Sequence, residues 1–218
     1  MQFDTVIFDM DGLLIDSEPL WNEAAAETFS PYGFRLTTEQ YITTTGMRTK
    51  EFVEWWFEHY KVPMQFAPLA EEAILKNVVA KVAAKGKAMQ GVEHIINFFI
   101  QRNFKTGLAT SSGNPLIDVV IDKLGIRQYL QVISSAADLP FGKPHPQVYL
   151  NCAEALNSHP TRCVCFEDSF NGMIAAKAAR MKCVVVPAAH ESRNAKFNAA
   201  DLKLSSLQNF NELLLQTL

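Results

Sequence analysis

The chain has 218 residues, 48% of them hydrophobic and 20% charged, with a net charge of −3 at pH 7. That is enough apolar material for a large core, in one domain with an insertion or in two, and the near-balanced charge excludes a field that would draw the whole chain to nucleic acid or an anionic membrane. Met1-Gln2-Phe3-Asp4 has no leader character and no apolar run is long enough to span a bilayer, so a cytoplasmic location is expected.

A buried strand is predicted at Val6-Ile7-Phe8, followed at once by Asp9-Met10-Asp11-Gly12. In an open parallel sheet, ligands gather beyond the carboxyl ends of the strands, so two acids placed there face a crevice and not a core. Asp9 and Asp11 point to the same side only if the backbone stays extended. One could then attack while the other moves a proton, with a divalent cation holding both charges. Gly12 lets the backbone turn away. A calcium loop also begins D-x-D-G, but it needs further oxygen ligands at regular offsets, and here Leu13, Leu14 and Ile15 occupy its middle.

Residues 17–88 carry helical patterns and no convincing strand. Thr49 to Tyr60 forms one, with Phe52, Trp55, Trp56 and His59 expected on a packed face, and Leu69 to Ala84 forms another. A helical insertion after the first strand would hang over the carboxylates as a lid. Gly46-Met47-Arg48 lies in a turn before the aromatic helix, where Arg48 is a candidate substrate contact.

From Lys105 onward, strand and helix alternate. Strands are predicted at Lys105–Ala109, Tyr129–Ser134, Cys163–Phe166 and Cys183–Val186. Helices are predicted from Asn114-Pro115 over Leu116–Leu124, from Pro146 through Leu156, and over Asn171–Ala179. This rhythm implies a parallel sheet with helices on both faces. Cys152, Cys163, Cys165 and Cys183 lack metal or redox spacing and read as small buried hydrophobes.

Each core strand ends in residues suited to phosphate chemistry. The second ends Thr110-Ser111-Ser112, with hydroxyls and N–H groups beside a helix start and with Asn114 close by. Gly142-Lys143-Pro144 follows the third, supplying a cation, and the fourth ends Glu167-Asp168-Ser169. Each has an ordinary explanation alone, as a helix cap, a solvated lysine or an acid at a helix N-terminus. Their joint occurrence at successive strand ends favours a site.

Taken together, Asp9-x-Asp11-Gly12, Thr110, Gly142-Lys143-Pro144 and Glu167-Asp168 resemble the four motifs of the haloacid dehalogenase-like superfamily. The runs Asp9 to Glu18 and Gly142 to Tyr149 look closest to sugar-phosphate phosphatases of the 2-deoxyglucose-6-phosphate phosphatase type, with the β-phosphoglucomutases as a related branch. The resemblance implies an α/β fold: a Rossmann-like doubly wound parallel sheet core, residues 1–16 and 89–218, with an inserted all-helical cap domain, residues 17–88. It implies Asp9 as nucleophile and Asp11 as general acid and base. Mg2+ would be held by the Asp9 side chain, the Asp11 backbone carbonyl and Asp168, with Glu167 orienting that shell. Thr110, the Ser111 backbone, Lys143 and Asn114 would serve the phosphoryl group, and Arg48 the substrate.

The expected activity is magnesium-dependent hydrolysis of a small sugar phosphate, of the hexose 6-phosphate type, by a monomer that binds a phosphorylated metabolite, no nucleic acid and no membrane. The alternatives are a sugar-phosphate mutase and a catalytically silent binding protein. Asp11 speaks against dehalogenase and phosphonatase chemistry, which in this superfamily lack that acid. The resembling mutases carry a histidine ten residues after the acid, where this chain has Trp21.

Overall fold

The computed structural model describes residues 3–218; Met1 and Gln2, part of the opening segment read above, lie outside the described residues. Six parallel strands form the sheet in the order β3-β2-β1-β4-β5-β6. They are β1 (Thr5–Phe8), β2 (Lys105–Thr110), β3 (Val132–Ser135), β4 (Cys163–Glu167), β5 (Lys182–Val185) and β6 (Leu202–Lys203). In this order β1 lies between β2 and β4, so the chain reverses its winding direction at β1, where crevices form in doubly wound sheets.

Side-chain alternation along the strands divides the core into two layers. Val6, Phe8, Leu108, Val164 and Phe166 face one layer, packed by α5 (Val92–Ile100) and α6 (Asn114–Leu124). Ile7, Ala109, Cys163, Cys165 and Cys183 face the other, packed by α7 (Gln147–Ala155) and α8 (Phe170–Ala178). All four cysteines are free and buried in this second layer, and burial pushes the Cys152 thiol up to about 12, so they are inert packing groups as expected.

Four helices stand between β1 and α5: α1 (Glu18–Phe29), α2 (Thr38–Thr43), α3 (Thr49–Tyr60) and α4 (Ala67–Lys85). Their aromatic centre is a cluster of Phe29, Phe34, Phe52 and Phe57, with Phe29 and Phe34 stacked at 4.7 Å between ring centroids. The two ends of the segment meet. Ile15 pairs with Ala88 in an antiparallel bridge, Asp16 N–H donates to the Lys87 carbonyl at 2.8 Å, and Met89 N–H donates to Leu14 at 3.0 Å.

Several elements differ from the sequence reading. On α3 the buried face is Phe52, Val53, Trp56 and Phe57, whereas Trp55 is 56% exposed and His59 is exposed. Trp55 and His59 are one turn apart and share the outer face, an arrangement that aromatic content alone does not reveal. The third strand begins at Val132, since Arg127–Tyr129 is a 3-10 turn. Helix α5, strand β6 and the terminal helix α9 (Glu212–Thr217) have no counterpart among the predicted elements.

Candidate active site

The strand ends converge as the resemblance implied. Asp9, directly after β1, is 6% exposed and its N–H donates to the Phe166 carbonyl of the neighbouring strand at 3.0 Å. The chain then leaves the sheet through Gly12 at φ +76°, and a Cβ there would stand 2.1 Å from Asp168 Oδ2. Glycine at this position thus serves both a left-handed turn and a close approach by the fourth strand's acid. Leu13, Leu14 and Ile15 are buried in that turn, which removes any calcium-loop reading.

Lys143 is buried between two carboxylates. Its Nζ donates to Asp9 Oδ1 at 2.5 Å, to Glu167 Oε1 at 2.6 Å and to the Ala109 carbonyl at 3.0 Å. Burial works against its charge, but Asp9 and Glu167 outweigh it and hold the ammonium above its ordinary value. Glu167, with no exposure, is saturated. Oε1 also accepts from the Tyr149 hydroxyl at 2.6 Å, and Oε2 accepts from the Asp168 N–H, the Ser169 N–H and the Ser169 hydroxyl. Ser169 caps α8, and Gly172 is obligatory there because a Cβ would lie 1.8 Å from Glu167 Oε1.

Carboxylate oxygens of Asp9, Glu167 and Asp168 all lie within 4.8 Å of one another. Burial, joined by the charges of Glu167 and Asp11 and opposed by Lys143, pushes Asp9 well above the ordinary carboxylate range. Burial followed by the charges of Asp9 and Glu167 does the same to Asp168. One lysine facing three buried acids leaves a deficit of positive charge, which a hard divalent cation on oxygen ligands would meet. Since Glu167's oxygens are engaged by protein donors, Asp9 and Asp168 are the side chains left to bind such an ion, with Glu167 holding the surroundings in place.

Asp11 is fixed by three donors. Oδ1 accepts from the Ser17 hydroxyl at 2.6 Å and from Trp21 Nε1–H at 2.9 Å, and Oδ2 accepts from the Ser112 hydroxyl at 2.7 Å. Sequence reasoning missed Ser17 as a partner and took Trp21 only as the replacement for a histidine. The signal available was their spacing, six and ten residues beyond Asp11 at the start of the first inserted helix. Thr110 is buried, its hydroxyl accepting from Ser112 N–H at 3.1 Å, and Ser111 donates to the Gly46 carbonyl at 2.9 Å.

Two expected contacts lie elsewhere. Asn114 is exposed at the first turn of α6 and does not line the cleft; the cap position is Gly113. Arg48 is buried but also absent from the cleft lining. Its guanidinium donates to the carbonyls of Ala136, Leu139 and Pro140 and pairs with Glu51, whose Oε1 accepts Gly142 N–H at 3.3 Å. It ties α3 to the loop that carries Lys143. A second tie is Asn171, which donates to the Thr45 carbonyl at 3.0 Å. The inserted helices thus close over a cleft. Asp9, Asp11, Thr110, Ser111 and Asp168 line one side, and Trp21, Tyr41, Met47 and Phe52 line the other.

Comparison with known proteins agrees with this geometry. Residues 6–186 match the family described as haloacid dehalogenase-like hydrolase. Hexitol phosphatase B of Escherichia coli strain K12 is 37% identical over 207 residues, covering 94% of this chain and 93% of that protein. A phosphorylated carbohydrates phosphatase of Thermotoga maritima is 30% identical over 184 residues, covering 81% of each. The fold is shared with a β-phosphoglucomutase crystal structure from Clostridium difficile, at TM-score 0.86 and 23% identity over 98% of this chain and 96% of that one. No helix among the described residues is long and apolar enough to cross a membrane. The chain belongs to the haloacid dehalogenase-like hydrolases, as a phosphoric monoester hydrolase of the sugar-phosphatase kind.

Proposed function

We propose that the protein is a magnesium-dependent phosphatase of small sugar phosphates, of the hexose 6-phosphate or hexitol phosphate type, working through an aspartyl-phosphate. Residues 1–16 and 89–218 form the catalytic core and residues 17–88 the cap. The observation that carries this reading is the pairing of two unlike aspartates: Asp9 buried against Lys143, and Asp11 held by Ser17, Trp21 and Ser112.

In this mechanism Asp9 attacks phosphorus and forms the acyl phosphate as the bond to the sugar oxygen breaks. Asp11 gives that oxygen its proton. Water then attacks phosphorus, Asp11 takes a proton from it, and phosphate leaves with the Asp9 carboxylate restored. The proton belongs on Asp11 Oδ2. An indole N–H can only donate, so Trp21 bars Oδ1, whereas the Ser112 hydroxyl facing Oδ2 can turn from donor to acceptor. Thr110 and the Ser111 backbone hold the phosphoryl oxygens, and Lys143, behind Asp9, balances charge at the nucleophile. Asp9, Asp168 and the Asp11 carbonyl would hold magnesium, which when bound offsets charge on the phosphoryl group. Trp21 speaks against the mutase reading, since it places no titratable group where the resembling mutases have one.

The test is phosphate release from a panel of hexose and hexitol phosphates with and without magnesium, for wild type and Asp9→Asn. Release by wild type, lost on chelation and restored by magnesium, is expected, with Asp9→Asn inactive but folded. Wild-type rates from Asp9→Asn or from the chelated enzyme would overturn the mechanism.

A further inference from the structure

The cleft contains a carboxyl that the mechanism does not use. Glu18 is the first residue of α1 and lines the cleft beside Trp21 and Tyr41. Among the described residues, neither the Glu18 carboxyl nor the Tyr41 hydroxyl has a side-chain hydrogen-bond partner. Their neighbours are committed: Trp21 and Ser17 to Asp11, and Thr44 to Trp56 Nε1–H and the Tyr41 carbonyl. Glu18 is half-buried, and burial first, then the charges of Asp11, Asp16 and Glu191, push it up to about 8.

The lining also shows what is missing. Among the described residues around the cleft there is no lysine, arginine or histidine. Lys143 sits behind Asp9, engaged with two carboxylates, and Arg48 is folded onto Glu51 and three carbonyls outside the cleft. Lys196, near the rim, is paired with Glu191. A second phosphate or a carboxylate on the substrate would therefore be buried with no counter-charge, against walls that already carry acids. Hydroxyl groups meet the opposite situation, because they can donate to Glu18 and exchange hydrogen bonds with Tyr41.

The geometry points to Glu18 as the specificity-determining residue that reads a hydroxyl of the substrate's alcohol half, in a cleft that admits monophosphates of uncharged polyols and rejects esters bearing a second anionic group. This rests on the phosphatase reading above and names its substrate class.

The experiment compares kcat/KM of the full chain with magnesium on sorbitol 6-phosphate, fructose 1,6-bisphosphate and phenyl phosphate. Wild type is expected to favour sorbitol 6-phosphate over the bisphosphate by about tenfold or more. Glu18→Leu should lower the preference for sorbitol 6-phosphate over phenyl phosphate by about tenfold, the scale of one hydrogen bond, chiefly through KM. Glu18→Gln keeps a hydrogen-bonding end and should retain most of that preference, which a merely structural role would not produce. Because preference is a ratio within one variant, a partial loss of folded protein does not affect it. Equal kcat/KM for bisphosphate and monophosphate in wild type, or an unchanged preference in Glu18→Leu, would overturn the inference while leaving the phosphatase reading intact. Release from none of the three esters by wild type would overturn the phosphatase reading itself and the inference with it.

Discussion

Lys143 offers a measurable consequence of the buried charge cluster. It is 3% exposed, with Nζ 2.5 Å from Asp9 and 2.6 Å from Glu167. Lys143→Met keeps most of the side-chain volume, removes the ammonium and leaves two buried carboxyls facing each other. Removing one partner of a buried pair costs about 3–5 kcal/mol. For a chain of this size that lowers the melting temperature by roughly 6–20 °C, at about 2–4 °C per kcal/mol. The cost depends on pH. In the metal-free variant a carboxyl that has lost its counter-charge titrates higher in the folded state than its unfolded value of about 4. The penalty is then small below that unfolded value and grows as pH rises through the folded one. Urea unfolding in EDTA should show the larger deficit at about pH 7.5 and a smaller one at about pH 5. Adding Asp9→Asn to Lys143→Met should recover much of the loss, since it removes one of the uncompensated charges. A single variant within about 1 kcal/mol of wild type at the higher pH, or one with the same deficit at both, would refute the role of Lys143 as counter-charge.

Gly12→Ala places a methyl 2.1 Å from Asp168 Oδ2 on a residue at φ +76°, so magnesium affinity measured by calorimetry should fall about tenfold or more; unchanged affinity would remove Asp168 from the ligand set. Trp21→Phe deletes the 2.9 Å bond to Asp11 and should lower kcat about tenfold with little change in KM, and a kcat equal to wild type would show that this bond is idle during turnover. Arg48→Ala cuts the tie between α3 and the loop 136–142, so amide exchange over residues 44–52 should quicken and KM rise; unaltered exchange would count against a latch.

The alternation of β-like and helical segments after Lys105 was enough to read a parallel sheet, because strands buried on both faces demand continuous apolar runs and their connections demand helices. Asp9, Asp11, Lys143, Glu167 and Asp168 were legible for a related reason. The acids stand at or just after strand ends and Lys143 in the loop after the third strand, and in such a sheet the strand ends share one edge whatever the details of packing. The direction and partners of side chains that do not follow from backbone position were not legible. Arg48 looked like a substrate contact because it lies in the turn before α3, yet three carbonyls and Glu51 claim it. Asn114 looked close to the phosphate because it opens α6, yet the first turn of that helix puts it in solvent. Trp55 and Trp56 are neighbours in sequence, about 100° apart around one helix, and only Trp56 falls on the side whose Phe52 and Phe57 meet Phe29 and Phe34. Ser17, Glu18 and Trp21 meet the site only because the bridge of Ile15 with Ala88 turns the start of α1 over the crevice. The sequence alone determined the sheet and the acids along its edge, through periodicity and strand-end position. Only the tertiary structure decided what holds Asp11, where Arg48 goes and which carboxyl in the cleft has no side-chain partner, because those depend on long-range contacts between the cap and the core that no local pattern encodes.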